Sequence, residues 1–123
     1  MVCHPAMKEI HIGADFSETP VGRYPTDGSF NGQTFRETML VPALKAALES
    51  REKVEVWIDD AEGYGSSFLE ESFGGLVRVE GFKEPDLKNT LCIRLEDKVF
   101  EIYNVLIWRY IRDAQRILDA NKK

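Results

Sequence analysis

Cysteine and histidine are scarce in this chain, two of each in 123 residues. Cys3 and Cys92, with no secretion signal before them, read as reduced thiols rather than a structural disulfide. Cys3-His4 and the distant His11 lack metal-ligand spacing, so no zinc site is expected. No apolar run approaches the roughly 20 residues that span a bilayer, and no signal-peptide pattern opens the sequence. The expectation is a cytoplasmic protein with no membrane contact. Repeats and low-complexity tracts are also missing. So is an excess of positive charge: the net charge is −5, which argues against nonspecific nucleic-acid binding. A single domain over 1–123 is expected, with 1–7 a loose leader, and a chain of this length buries a core without metals or cross-links.

What charge there is lies unevenly. Lys98 to Lys123 holds six basic and three acidic residues, a balance of +3, which leaves −8 for the rest. Asp59 to Glu71 holds five acids and no base. That acidic stretch lies inside the segment around which the chain is arranged, Val54 to Val79. It opens as an apolar strand, Val54 to Ile58, and ends in Asp59-Asp60. A glycine-rich turn follows, Glu62-Gly63-Tyr64-Gly65. Ser67 and Glu70 have the spacing of a capping box, in which each side chain satisfies the other's free backbone N–H. Phe68, Leu69, Phe73, Leu76 and Val77 then recur at helical spacing. Ser66 and Ser67 are thereby expected at a helix N-terminus beyond the carboxyl end of a buried strand, the edge at which open α/β sheets usually carry ligands. Gly74-Gly75 inside the helical pattern costs about 1 kcal/mol per residue against alanine. The glycines therefore point to close packing of this helix.

The flanks read in the same way. Lys8 to Phe16 alternates apolar and polar residues, the pattern of a half-exposed strand. Ser17 to Gly32 is irregular, punctuated by Pro20, Gly22, Pro25, Gly28 and Gly32, and carries Arg23, Tyr24 and Asp27. A loop this long in a compact domain is usually functional or partly disordered. Thr34 and Glu37 suggest a second capping box; the helix they open runs to about Ser50, interrupted by Pro42, which either kinks it or begins a new segment at a first-turn position. Gly81 and Pro85 mark a loop, Thr90 to Leu95 a strand, and Asp97 onwards a long helix with an apolar side wider than one sheet face needs. Strands alternating with helices imply parallel pairing, hence an α/β sandwich with a small mixed or parallel sheet of about four strands, packed mainly on one side by helices.

The combination of Gly22-Arg23-Tyr24, Asp27-Gly28, Phe35-Arg36-Glu37, Pro42-Ala43-Leu44, the run Gly63-Tyr64-Gly65-Ser66-Ser67-Phe68-Leu69-Glu70-Glu71, and Phe73-Gly74-Gly75-Leu76 resembles the bacterial STAS-like domains of unknown function. The resemblance covers Lys8 to Tyr110. Those domains are named for their similarity to the sulfate-transporter and anti-sigma-factor-antagonist domain. Antagonists carry an acid–hydroxyl–hydroxyl–Gly motif whose first hydroxyl is phosphorylated by a partner kinase of the GHKL ATPase type, which switches partner binding. The resemblance implies Ser66 as phosphoacceptor, Ser67 as second hydroxyl and a GHKL-type ATPase or serine kinase as protein partner. Gly65 stands where the motif has its acid, and Phe68 where it has its glycine.

The chain therefore reads as a noncatalytic regulatory interaction module without a cofactor. Its expected partner or ligand surface comprises Arg23, Asp27, Arg36, Asp59, Asp60, Gly63, Tyr64, Gly65, Glu70 and Glu71. Paired acids such as Asp59-Asp60 can hold Mg²⁺ at a strand end, but the separate phosphoacceptor Asp and late Lys of a receiver domain are missing. The alternatives are an assembly subunit that binds, or self-associates, through the apolar C-terminal helix, and a small ligand-binding domain closed by the Arg23–Asp27 loop. In the assembly case the serines only cap a helix; in the ligand-binding case the loop closes over a pocket at Asp59 to Ser67.

Overall fold

The computed structural model describes residues 8–122. Cys3, His4 and the leader 1–7 lie outside the described residues. Three short strands, β1 (Lys8–His11), β2 (Val54–Trp57) and β3 (Leu91–Arg94), form an all-parallel sheet in the order β1-β2-β3. The register places Ile10 opposite Val56, and Val56 opposite Ile93. Among the described residues there are three strands where about four were expected.

Helix α1 covers 32–50 as three consecutive segments, Gly32–Phe35, a π turn Arg36–Leu40, and Val41–Ser50. Helix α2 covers 66–78 in the same manner: Ser66–Leu69, a π turn Glu70–Gly74, and Gly75–Arg78. Helices α3 (Glu84–Thr90) and α4 (Glu101–Asn121) complete the chain. Right-handed crossovers between parallel strands in sequential order put α1 and α2 on the same sheet face. That face carries Ile10, Val54, Val56 and Leu91, all buried against Phe35, Leu40 and Leu44 of α1 and Phe68, Phe73 and Leu76 of α2. Each such side chain contributes about 1.5–3 kcal/mol when removed from water. The opposite face is half-buried to exposed, with His11 stacked on Trp57 at 5.8 Å and the Arg94 guanidinium 5.5 Å from the Trp57 ring.

Three local expectations give way to the structure, and one pair of alternatives is decided by it. The alternation from Lys8 to Phe16 is a strand only to His11; Ile12–Phe16 closes as a π turn in which the Ser17 N–H donates to the Ile12 carbonyl at 2.8 Å. The cap of α1 is Asn31, whose side chain accepts the Thr34 N–H at 2.8 Å, so the helix begins before Thr34. Of the two alternatives for Pro42, the first-turn position holds. It sits in the first turn of the Val41–Ser50 segment, directly after the π turn that absorbs its missing N–H. The Gly81–Pro85 loop is followed by a helix, α3, with Pro85 in its first turn, the place where proline's fixed φ favours helix.

Helix α4 packs on the outer side of α2 and runs in the same direction. Tyr103 meets Tyr64 edge-on at 5.2 Å near the start of α2. A methyl group on Gly74 would lie 3.4 Å from the Tyr110 carbonyl, and Tyr110 and Ile117 share a groove with Arg78. Ile107, Ile111 and Ala114 bury the inner face of α4. No helix among the described residues is long and apolar enough to cross a membrane.

Candidate functional site

Asp59 and Asp60 lie just after β2, where they tie down two loops. Asp60 accepts the Gly13 N–H at 2.8 Å and the Ala14 N–H at 2.9 Å. Asp59 accepts the Glu96 N–H at 2.6 Å and the Asp97 N–H at 3.0 Å. The Asp97 N–H holds the Asp59 carboxyl below its ordinary range, and the Glu96 N–H reinforces it against burial. Gly13 is required here, since a Cβ at that position would stand 2.1 Å from the Asp60 carbonyl oxygen. The paired acids thus connect the ends of β1, β2 and β3 at one edge of the sheet.

From there the chain reaches α2 through Gly63-Tyr64-Gly65. Tyr64 donates its hydroxyl proton to the Ile58 carbonyl at 2.7 Å and stacks on Phe68. Burial raises its pKa, aided by the Asp60 and Asp59 charges. Gly65 is the N-cap, and no side chain caps this end of α2. Ser66 and Ser67 are therefore the first and second helical residues, both exposed. The expected Ser67–Glu70 capping box does not form, because the extended backbone of a cap falls on Gly65 and Glu70 is engaged elsewhere.

That engagement is a network of three arginines and three glutamates. Arg36, 2 % exposed, donates from Nη1 to Glu71 Oε2 at 2.7 Å and to the Glu71 carbonyl at 2.6 Å; its Nε donates to Glu80 at 3.0 Å. Arg23 Nη1 donates to Glu71 at 3.1 Å and also to Glu70. Arg78 Nη2 reaches Glu70 at 2.9 Å and Glu71 at 3.3 Å. Burial works against the Glu71 charge, but hydrogen bonds from Arg36 and Arg23 outweigh it and hold the carboxyl below its usual range. Arg36 and Glu71 (3 % exposed) are thus interior residues, a correction to their expected place on a contact surface. Burying one charge without the other is costly, so the pair stands or falls together. Asp27 is also structural: it accepts the Arg23 and Tyr24 N–H groups, each at 3.0 Å, and organises the loop that carries Arg23.

What α2 leaves outward lies at its two ends: Ser66 and Ser67 are exposed at its start and Arg78 at its last turn, with Glu70 half-buried between them. One flank of α4 runs beside α2. A shallow groove of about 210 Å³ between the two helices is lined by Glu70 and Arg78 on one side and Tyr110, Asp113 and Ile117 on the other. Helical spacing carries that flank back from Tyr110 to Leu106 and Ile102, level with the serines. Val99 is 77 %, Ile102 62 % and Ile117 60 % exposed. The structure therefore sets Glu70 and Arg78 beside the C-terminal helix, leaves Ser66 and Ser67 exposed at the start of α2, and places Asp59, Asp60 and Asp27 in loop anchoring.

The arginine network was not visible in sequence, since its two long-range ties, Arg36–Glu71 and Arg23–Glu70, join residues 35 and 47 positions apart. One signal was available. Glu71 falls among Phe68, Leu69, Ser72, Phe73 and Leu76, inside the buried arc of α2, and an acid there requires a counter-charge.

Residues 31–93 match the sequence profile of a family described as a STAS-like domain of unknown function. No match is found among curated proteins or among solved structures.

Proposed function

Because the chain belongs to the family of STAS-like domains of unknown function, we propose that it is a noncatalytic regulatory module that binds a protein partner through the face shared by α2 and α4. The observation that supports this reading is that α4 packs along α2 from the Tyr64–Tyr103 contact just before the two exposed serines, with Ile102 exposed on that first turn of α4 and Val99 exposed just ahead of it. Apolar groups supply the contact energy, and a phosphate on Ser66 or Ser67 adds nearly two negative charges at its rim. The partner is of the GHKL-type ATPase or serine-kinase class that the resemblance implies. The acids around the serines oppose a phosphate less than their number suggests, since Glu70 and Glu71 are paired with arginines and Asp59 and Asp60 with backbone N–H groups.

A second reading rests on the exposure of Val99 and Ile102 alone. In it α4 is an assembly surface and the serines play no part. Capture of partners from host cells on wild type, Ser66→Asp and Ile102→Asp separates the two. The regulatory reading expects one partner whose retention changes in both variants. The assembly reading expects Ile102→Asp alone to matter, and a result of that kind overturns the switch.

A further inference from the structure

Helix α4 turns Ile107, Ile111 and Ala114 to the core. At about 100° per residue, its opposite side carries Glu101, Val105, Arg109, Arg112 and Arg116, all of them exposed. The three arginines form a row. Arg109 and Arg112 stand three residues apart, and Arg112 and Arg116 four, the spacings at which like charges destabilise a helix. Among the described residues the ion pairs within α4 are Arg116–Asp113 at 3.0 Å and Lys122–Asp119 at 4.0 Å, so Arg109 and Arg112 stand without one. The helix dipole does not account for them either. It favours cations within the last turn, and Arg112 lies more than two turns before Asn121, where α4 ends. In the isolated chain the row is unfavourable, and a counter-surface of carboxylates reverses that.

The same side of α4 carries such a surface at its other end. Glu101 lies in the first turn, and the exposed Glu96 and Asp97 precede it, against the single base Lys98. Between the two signs stands Val105, 49 % exposed. A foreign acidic partner would satisfy the arginines and leave these acids unused. A second copy of the chain uses both.

We propose that the outward side of α4 is a twofold contact with a second copy of this chain, the two helices antiparallel and crossing at Val105. Glu101 and Arg109 lie four residues before and four after Val105. A twofold axis there sets each copy's Glu101 against the other's Arg109, and brings Glu96 and Asp97 level with Arg112 and Arg116. Every charge contact is then made twice, and Val105 meets Val105. A parallel pair would instead set Arg109 against Arg109, which fixes the direction. One pair of helices buries less than the roughly 1,200–2,000 Å² of a standard interface. The dimer is therefore a weak one, populated at high protein concentration and dissolved by salt. The inference rests on neither reading above, since it uses the side of α4 turned away from the core and requires no phosphate.

Sedimentation equilibrium of the full chain, over a concentration series at low salt, tests it. Wild type is expected to dimerise as concentration rises. Glu101→Arg and Arg109→Glu are each expected to weaken the dimer about tenfold or more, because the Glu101–Arg109 contacts then join like charges. An equimolar mixture of the two variants is expected to regain wild-type association. Each copy in the mixture presents one sign at both positions, and the other copy presents the opposite sign. Recovery also shows that neither variant has unfolded. Wild type that stays monomeric throughout the series overturns the twofold contact, and leaves both readings of the partner surface standing. Association that either variant retains, or a mixture that does not recover, overturns it as well.

Discussion

Gly13 has no room for a side chain, because the Asp60 carbonyl oxygen lies 2.1 Å from where its Cβ would stand. Gly13→Ala is expected to lower the free energy of unfolding by about 1–3 kcal/mol, the cost of overpacking against rigid backbone, in a denaturant titration. Gly75 is a comparable case, since a methyl there would stand 2.3 Å from Arg36 Nη1 and push the guanidinium off Glu71. Arg36→Met leaves the buried Glu71 without its main counter-charge and is expected to cost about 3–5 kcal/mol. The same carboxylate sets an acid limit. Its folded pKa lies below the ordinary 4.5, so the unfolded chain binds more protons than the folded one wherever the two states differ. Its contribution is complete above the ordinary value and is lost as pH falls through the depressed one. Urea midpoints measured from neutral pH downward should therefore stay flat until about pH 4.5 and then fall, more steeply in wild type than in a Glu71→Gln, Arg36→Met double variant.

The helix starts show how far local sequence rules reach. Both proposed capping boxes had correct spacing, yet Asn31 caps α1 and Gly65 is the N-cap of α2. Asn31 satisfies the Thr34 N–H at 2.8 Å, so Asn31→Ala is expected to cost about 1 kcal/mol. Ser67→Ala removes no cap and should change thermal stability by less than about 0.5 kcal/mol. A serine that costs little to remove is free for another use, and thermal melts of the two variants make the comparison directly. Periodicity identified α1, α2 and α4 and the strands β2 and β3, because each buries a continuous apolar face. It failed for Ile12–Phe16, where the Asp60 carboxylate bends an alternating stretch into a turn, and for α3, whose opening Glu84-Pro85-Asp86 looks like a loop. The close packing expected of Gly74-Gly75 is present, against Glu70 and the Tyr110 carbonyl at one residue and Arg36 at the other. What the chain order could not supply was the pairing of distant charges, which depends on how α1, α2 and the loop that carries Arg23 meet in space.

For the whole molecule, the sheet and its inner helices form the rigid part, and the outer face of α2 and α4 is where charge and exposed apolar surface meet. The place of Ser66 and Ser67 at a helix start beyond a strand was legible because strand, turn and helix follow one another in sequence. The packing of α4 along α2 was not, since only the tertiary fold brings Tyr103 to Tyr64 and Tyr110 to Gly74. On this account Ile102→Asp should weaken partner binding by about 2 kcal/mol or more, as for a central apolar anchor, while leaving the far-ultraviolet circular dichroism unchanged. The central claim, that the start of α2 is a regulatory switch, is tested most directly by intact-mass analysis of the protein from its own host, with peptide mapping over residues 54–78. A phosphate on Ser66 or Ser67 in growing or in stressed cells is the predicted result. A single unmodified mass under both conditions would contradict it.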